Sequence, residues 1–146
     1  MNKEFVMRGQ TASGGTEVLN FSGYKPGYAY RLVEFQIFPS NNIGGQAFEL
    51  MGTITAGKTA VAPTDPDFSN EGLIGSNLTA TSTSQPAVAE YEIVNDTFLI
   101  TQNLILMVQD THGNPINWQC RFVAEKMSGP EEAAANYKQY TISDGS

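Results

Sequence analysis

The chain has 146 residues, a length that suits one domain with a core of its own. Its formal net charge is −7, from 8 Lys and Arg against 15 Asp and Glu. This balance argues against nucleic acid or an anionic membrane as the partner, since both are recognised by clustered basic residues. Charged residues make up only 16% of the chain, and the abundance of Gly, Ser, Thr and Asn favours a turn-rich β-protein.

The cellular setting is indicated by two features of the sequence. The opening MNKEFVMRG has no apolar stretch of signal-peptide length, and no run in the chain approaches a membrane span. The single cysteine excludes a framework of intramolecular disulfides. We therefore expect a protein made in a cytoplasm, which can act elsewhere if it is released inside a particle.

Alternation of apolar and polar residues predicts strands along the first hundred residues. The candidates are KEFVMR, TEVLNF, YAYRLVEFQIF, QAFELMGTIT and AEYEIV. We treat the third as a regular strand with Val33, Phe35 and Ile37 on one face and Leu32 and Glu34 on the other. The stretch from Ala56 to Pro86 is rich in Pro, Ser, Thr and Gly, and we predict an extended loop there with one short edge strand around Leu73 to Thr79.

The end of this β-region predicts a long hairpin. NLILMVQD is apolar on both faces, which indicates a central strand, and INWQCRFVAEKM alternates with period two. Between them, THGNPIN supplies turn residues. The alternation places Cys120 between Trp118 and Phe122 on the apolar face, so we interpret it as a packed core thiol rather than a nucleophile.

These elements predict an all-β fold. Seven or eight short strands separated by loops are typical of an antiparallel β-sandwich, with a jelly roll as a special case. Residues 1–127 would form the sandwich, and residues 128–146 a C-terminal helix and tail.

The predicted helix runs from about Pro130 to Tyr140. Ser128 is placed to cap its first turn, and Glu131 follows three residues later as in a capping box. A helix of this length is marginal in water by itself, so it needs a surface to dock on. Two alternatives remain open: it covers an end of its own sandwich, or it forms an arm that lies against a neighbouring subunit.

Aromatic and small apolar residues of the C-terminal helix and tail and of the YKPGY turn are the candidates for such an interface. The tyrosines around YKPGY could instead stack on sugar rings or pack on their own domain. The candidate interface residues are Ala133, Tyr137, Tyr140, Ile142, Tyr24 and Tyr28.

GTITAGKT, from Gly52 to Thr59, matches the Walker A pattern letter for letter. A genuine phosphate-binding loop follows a strand and opens a helix whose N-terminus holds the phosphate. Here Pro63 and Pro66 would break such a helix early, and Gly52 lies inside an alternating strand. We therefore predict that this segment binds no nucleotide.

Sites for metal ions or catalysis are weakly indicated. Asp65, Asp67, Asn70 and Glu71 could supply oxygen ligands to Ca²⁺, but they lack the spacing of a calcium loop. We interpret them as a solvated acidic loop. His112 is the only histidine, so neither a Ser-His-Asp arrangement nor a zinc site can be assembled without it. We expect no cofactor, metal or catalytic site, although a glycosidase-type carboxylate pair depends on the fold and stays open.

The C-terminal block QNLILMVQDTHGNPINWQCRFVAEKMSGPEEAAANYKQY and the opening NKEFVMRGQ resemble small virion proteins of bacteriophages, especially β-sandwich and jelly-roll capsid or capsid-associated proteins of marine phages. The resemblance implies a non-enzymatic shell component of the virion that associates with itself and with other virion proteins, without a small-molecule substrate. A carbohydrate-binding β-sandwich module is the alternative, with its site in the Tyr24 to Tyr30 region or in the Ala56 to Pro86 loop.

Overall fold

The computed structural model describes residues 3–21, 28–40, 47–57, 59–81 and 89–126. These ranges contain eight strands and no helix, and therefore no helix long and apolar enough to cross a membrane. The strands are β1 (Lys3–Thr11), β2 (Thr16–Leu19), β3 (Tyr28–Pro39), β4 (Phe48–Thr55), β5 (Leu73–Thr81), β6 (Ala89–Val94), β7 (Leu104–Asp110) and β8 (Ile116–Lys126). The predicted all-β fold is confirmed, whereas the predicted C-terminal helix lies outside the described residues.

The strands form two antiparallel sheets that pack face to face. The smaller sheet has the order β1-β8-β3, and the larger has the order β2-β7-β4-β5-β6. The pairs β1–β8, β2–β7 and β4–β5 are nested along the chain, because each lies inside the sequence interval spanned by the one before it. β6 is the last strand of the larger sheet, and only one of the two edges of β6 pairs with a described strand, β5.

The two strands predicted for the C-terminal hairpin are present as β7 and β8, but the predicted hairpin is wrong, because β7 pairs in the larger sheet and β8 in the smaller one. Turn residues reverse the chain, but they do not decide which sheet the next strand joins. β7 lies between β2 and β4, as expected of a strand with two apolar faces. β8 is the middle strand of the smaller sheet, and it buries Trp118, Cys120 and Phe122 as the alternation predicted. Burial raises the pKa of the Cys120 thiol, so the thiol is protonated at neutral pH.

The prediction of a regular alternation in β3 is wrong. The register against β8 shifts between Leu32 and Glu34, and this bulge inserts one extra residue. Leu32 and Phe35 are therefore both fully buried, while Val33 is exposed. An inserted residue reverses the phase of the alternation, which is why a strict period of two misassigned Leu32 and Val33.

The prediction of a short edge strand near Leu73 is also wrong. β5 is nine residues long and lies inside the larger sheet, between β4 and β6. Its polar composition suggested a loop, but Asn77 is buried with its amide donating to the Phe35 carbonyl at 2.9 Å. The Thr79 hydroxyl donates to the Asn77 side-chain oxygen at 2.7 Å. Polar side chains whose hydrogen bonds are made can be buried in this way.

The core lies between the two sheets, with an aromatic cluster at one end. Phe5 stacks on Phe122 with ring centroids 5.4 Å apart, and Phe21 and Tyr30 pack against Phe5 at steeper angles. Tyr30 is therefore part of the interior packing of its own domain, one of the two alternatives left open for this tyrosine.

Candidate functional site

Of the six residues predicted for an interface, the structure describes only Tyr28. Tyr28 is the first residue of β3, opposite Lys126 of β8, and is partly exposed. The others, namely Tyr24, Ala133, Tyr137, Tyr140 and Ile142, lie outside the described residues.

The segment that matches the Walker A pattern lacks the surroundings of a phosphate-binding loop. Gly52 lies inside β4, and a Cβ added there would come within 2.8 Å of the Phe35 ring. Residues 59–72 contain turns and no helix. The Val61 backbone is instead bonded to the hydroxyls of Thr53 and Thr55, so the chain folds back over β4. Close packing against Phe35 accounts for the glycine.

The acidic loop uses its oxygens in local turns. The Asp67 carboxylate accepts hydrogen bonds from the hydroxyl and backbone N–H of Ser69, which lower the pKa of Asp67. The Asn70 side chain accepts a bond from the Gly72 N–H. In the described ranges, no three acidic, His or Cys side chains are grouped to hold a metal ion.

His112 lies in the β7–β8 turn, as predicted. Its ring is exposed and 3.9 Å from the buried Asp110 carboxylate. Asp110 accepts hydrogen bonds from the backbone N–H groups of His112 and Asn114, so this carboxylate stabilises the turn.

A groove of about 660 Å³ crosses the outer face of the smaller sheet. Its floor is the backbone of Gly9, Trp118 and Ile37, which lie side by side on β1, β8 and β3. One wall is a row with one side chain from each of the three strands, and the other wall lies two residues away along the strands. The walls contain Arg8, Gln119, Gln36, Asn117 and Phe38, and Glu90 of β6 closes one end.

Three polar side chains of this groove are free for hydrogen bonding, whereas those of Asn117 and Glu90 are bonded to Gln10, Pro39 and Asn77. The side chains of Arg8, Gln36 and Gln119 form no hydrogen bond or ion pair with other described residues. Phe38 is 55% exposed. The groove therefore presents unpaired amides and a guanidinium beside an open aromatic ring, which is an arrangement that can bind a polar ligand.

The edge of the smaller sheet at β3 is closed by side chains. The Phe35 N–H donates to the Glu92 carboxylate at 2.6 Å, and the Phe35 carbonyl accepts from Asn77. Desolvation raises the pKa of Glu92, an effect that the nearby charges of Glu90 and Glu34 reinforce and the Phe35 N–H opposes. These side chains satisfy backbone groups that would otherwise pair with a further strand.

The edge of the larger sheet at β6 is different. Five consecutive residues of β6, from Ala89 to Ile93, are exposed, and no described strand pairs with the outer edge. Glu90 accepts a hydrogen bond from Asn77 of the neighbouring strand β5, and Glu92 accepts one from Phe35 at the edge of the smaller sheet. Tyr91 and Ile93 face the opposite side, 67% and 56% exposed. An exposed edge with apolar side chains is a site for pairing with another chain.

Sequence reasoning did not find either feature. Alternation correctly placed Gln36 and Gln119 on polar faces, but it could not show that they are neighbours across β3 and β8. Arg8 was apparent only as one of three arginines far apart in the sequence. The register of the strands brings these residues together. No family model, curated protein or solved structure matches the chain.

Proposed function

We propose that this protein is a non-enzymatic structural subunit of a bacteriophage particle, a capsid or capsid-decorating protein that acts by self-association. The observation that carries the proposal is the exposed outer edge of β6, with Tyr91 and Ile93 on its open face. Such an edge can extend its sheet by antiparallel pairing with the same strand of a second copy.

The strand order supports this reading. Nested pairing of β1 with β8, β2 with β7 and β4 with β5 is the connectivity of a jelly roll, an architecture used by viral capsid proteins and also by lectin domains and cupins. In this chain β6 continues the larger sheet beyond β5 instead of lying in the smaller sheet beside β3. The proposed jelly roll therefore has one strand displaced to a position where it can contact a neighbour.

The other sheet edges favour β6 as the contact. β1 carries exposed charges at Lys3, Glu4 and Arg8, which oppose edge-to-edge pairing. β2 is only four residues long. The β3 edge is occupied at Phe35 by side chains of its own domain. A contact through a six-residue strand is modest, but many such contacts in a closed shell add up by avidity.

The test is a lysine placed on the open face of β6. We expect the unchanged protein to form oligomers, and Ile93→Lys to remain monomeric because a charge at the edge prevents close approach of the second strand. The measurement is the mass in solution by analytical ultracentrifugation, followed by negative-stain microscopy.

Val18→Lys is the matched control. Val18 is 61% exposed on β2, at the opposite edge of the same sheet, and its replacement should leave assembly unchanged. Circular dichroism should show the same β-sheet spectrum for all three proteins. A monomeric unchanged protein, or equal assembly of Ile93→Lys and the unchanged protein, would contradict the proposal.

A further inference from the structure

The groove on the outer face of the smaller sheet has the shape of a binding site for an extended ligand. Its two walls are two residues apart along the strands, about 7 Å, and three strands span roughly 10 Å. Its volume of about 660 Å³ lies within the range of ligand pockets in proteins. The floor is backbone, so a ligand can lie flat across β1, β8 and β3.

The wall residues have the chemistry that recognises hydroxyl groups. Each glutamine amide offers two donors and one acceptor oxygen, and Gln36 and Gln119 are opposite each other with neither amide in a hydrogen bond to described residues. A pair of neighbouring hydroxyls on a sugar ring also combines donors with acceptors. Phe38 stands on the facing wall with its ring exposed, placed to cover the apolar C–H face of such a ring.

The charges around the groove favour a neutral ligand. Arg8 and Glu90 contribute one positive and one negative charge at its lining. The whole chain carries a net charge of −7, which opposes the approach of polyanions such as nucleic acids. A purely apolar ligand would leave the amides of Gln36 and Gln119 without partners once water is displaced.

We propose that this groove binds a neutral oligosaccharide, with Gln36 and Gln119 bonded to its hydroxyls and one pyranose ring stacked on Phe38. The site includes Glu90 of β6 but not Tyr91 or Ile93 on the open face of that strand, and it is distinct from the Tyr24 to Tyr30 and Ala56 to Pro86 segments considered in the sequence. A subunit with both features would assemble through β6 and display the groove for attachment to a glycan surface.

The first experiment screens the full chain against an array of neutral glucose, galactose, mannose and N-acetylglucosamine oligosaccharides, with sialylated and sulfated glycans beside them. We expect binding to at least one neutral group. The best neutral glycan is then titrated into isotopically labelled protein, and the side-chain amide resonances of Gln36 and Gln119 should shift on binding.

Two phenylalanines provide a matched pair of variants. Phe38→Ala should weaken binding of the best neutral glycan by tenfold or more, because it removes the stacking surface. Phe68→Ala is the control, because Phe68 is 58% exposed, close to the exposure of Phe38, and lies in the loop before β5. This variant should bind the glycan like the unchanged protein. Gln119→Ala should also weaken binding by tenfold or more. These variants leave β6 intact, so a result for the groove is independent of the result for self-association.

Thermal melts of each variant establish that the fold is kept. Absence of binding to every neutral glycan at millimolar concentration would overturn the proposal, as would unchanged affinity in a folded Phe38→Ala variant. Binding confined to sialylated or sulfated glycans and abolished by Arg8→Ala would equally overturn it, since the recognised group would then be an anion.

Discussion

At the scale of single residues, glycines in the strands allow side chains from the facing sheet to approach the backbone. A Cβ at Gly52 would lie 2.8 Å from the Phe35 ring, and one at Gly75 would lie 2.9 Å from the Leu32 side chain. Phe35 and Leu32 are both fully buried members of the core. The absence of a side chain at Gly52 is thus explained by core packing between β4 and β3.

This explanation predicts the behaviour of Gly52→Ala. We expect the free energy of unfolding to fall by about 1–3 kcal/mol, because the added methyl group overpacks the core against Phe35. Urea denaturation measures the change. Thr59→Ala, at an exposed position of the same Walker-like segment, should change stability by no more than about 0.5 kcal/mol.

A nucleotide-binding measurement distinguishes core packing from phosphate binding as the reason for the glycine at position 52. Titration calorimetry with Mg-ATP and Mg-GTP should show no heat of binding to the unchanged protein. Micromolar affinity that is abolished by Lys58→Ala would contradict both the packing explanation and the proposed function.

At the scale of elements, the β3 edge of the smaller sheet is bonded to side chains from β5 and β6 of the larger sheet. β3 ends the smaller sheet, and its N–H and carbonyl at Phe35 are bonded to Glu92 and Asn77 rather than to a strand. β6 follows β5 in the larger sheet and carries Glu92 over the β3 edge. The link between the sheets at this edge therefore depends on a carboxylate whose pKa is raised by desolvation.

The replacement Glu92→Gln removes this titratable group, so it should change how the free energy of unfolding depends on pH. A carboxyl group with a raised pKa in the folded state binds its proton more tightly there than in the unfolded chain, so its contribution is lost as the pH rises through the folded-state pKa. We therefore expect the stability of the unchanged protein, relative to Glu92→Gln, to fall as the pH rises from acid through the ordinary pKa of glutamate and above it.

Chemical denaturation of both proteins across this pH range measures the difference. Glutamine keeps an oxygen that can accept from the Phe35 N–H, so the comparison isolates the charge from the hydrogen bond. A difference that stays constant with pH, or rises with it, would be inconsistent with a raised pKa at Glu92.

At the scale of the whole molecule, the sandwich is formed by strands that lie between Lys3 and Lys126. Both sheets and the core between them belong to this interval. Residues 128–146, predicted to form a helix and tail, lie outside the described residues.

Deletion of residues 128–146 tests the arm hypothesis. If the segment contacts a neighbouring subunit, the truncated protein should keep its β-sheet spectrum and thermal midpoint but assemble less well than the full chain. Circular dichroism and analytical ultracentrifugation provide the two measurements. A large loss of thermal stability with assembly intact would instead favour a segment that covers its own sandwich.

The local pattern of the sequence was enough to predict the fold class, the strands β7 and β8 with the turn between them, and the burial of Cys120, but not that the two strands join different sheets. It also predicted that no helix follows Lys58, because the prolines there are incompatible with one, and residues 59–72 contain turns and no helix. These conclusions depend on alternation and turn chemistry within about ten residues, which physical chemistry imposes wherever one face of a strand is buried.

Only the tertiary structure decided the bulge in β3, the interior position of β5, and the groove formed by Arg8, Gln36 and Gln119. Each depends on partners distant in the sequence: Asn77 is buried because its amide meets the Phe35 carbonyl, 42 residues away. A sequence pattern can assign a residue to a face of its own strand, but the neighbours of that face are set by the pairing and register of whole strands. Those long-range pairings decide whether a polar side chain is satisfied in the interior, free in a groove or exposed at an edge.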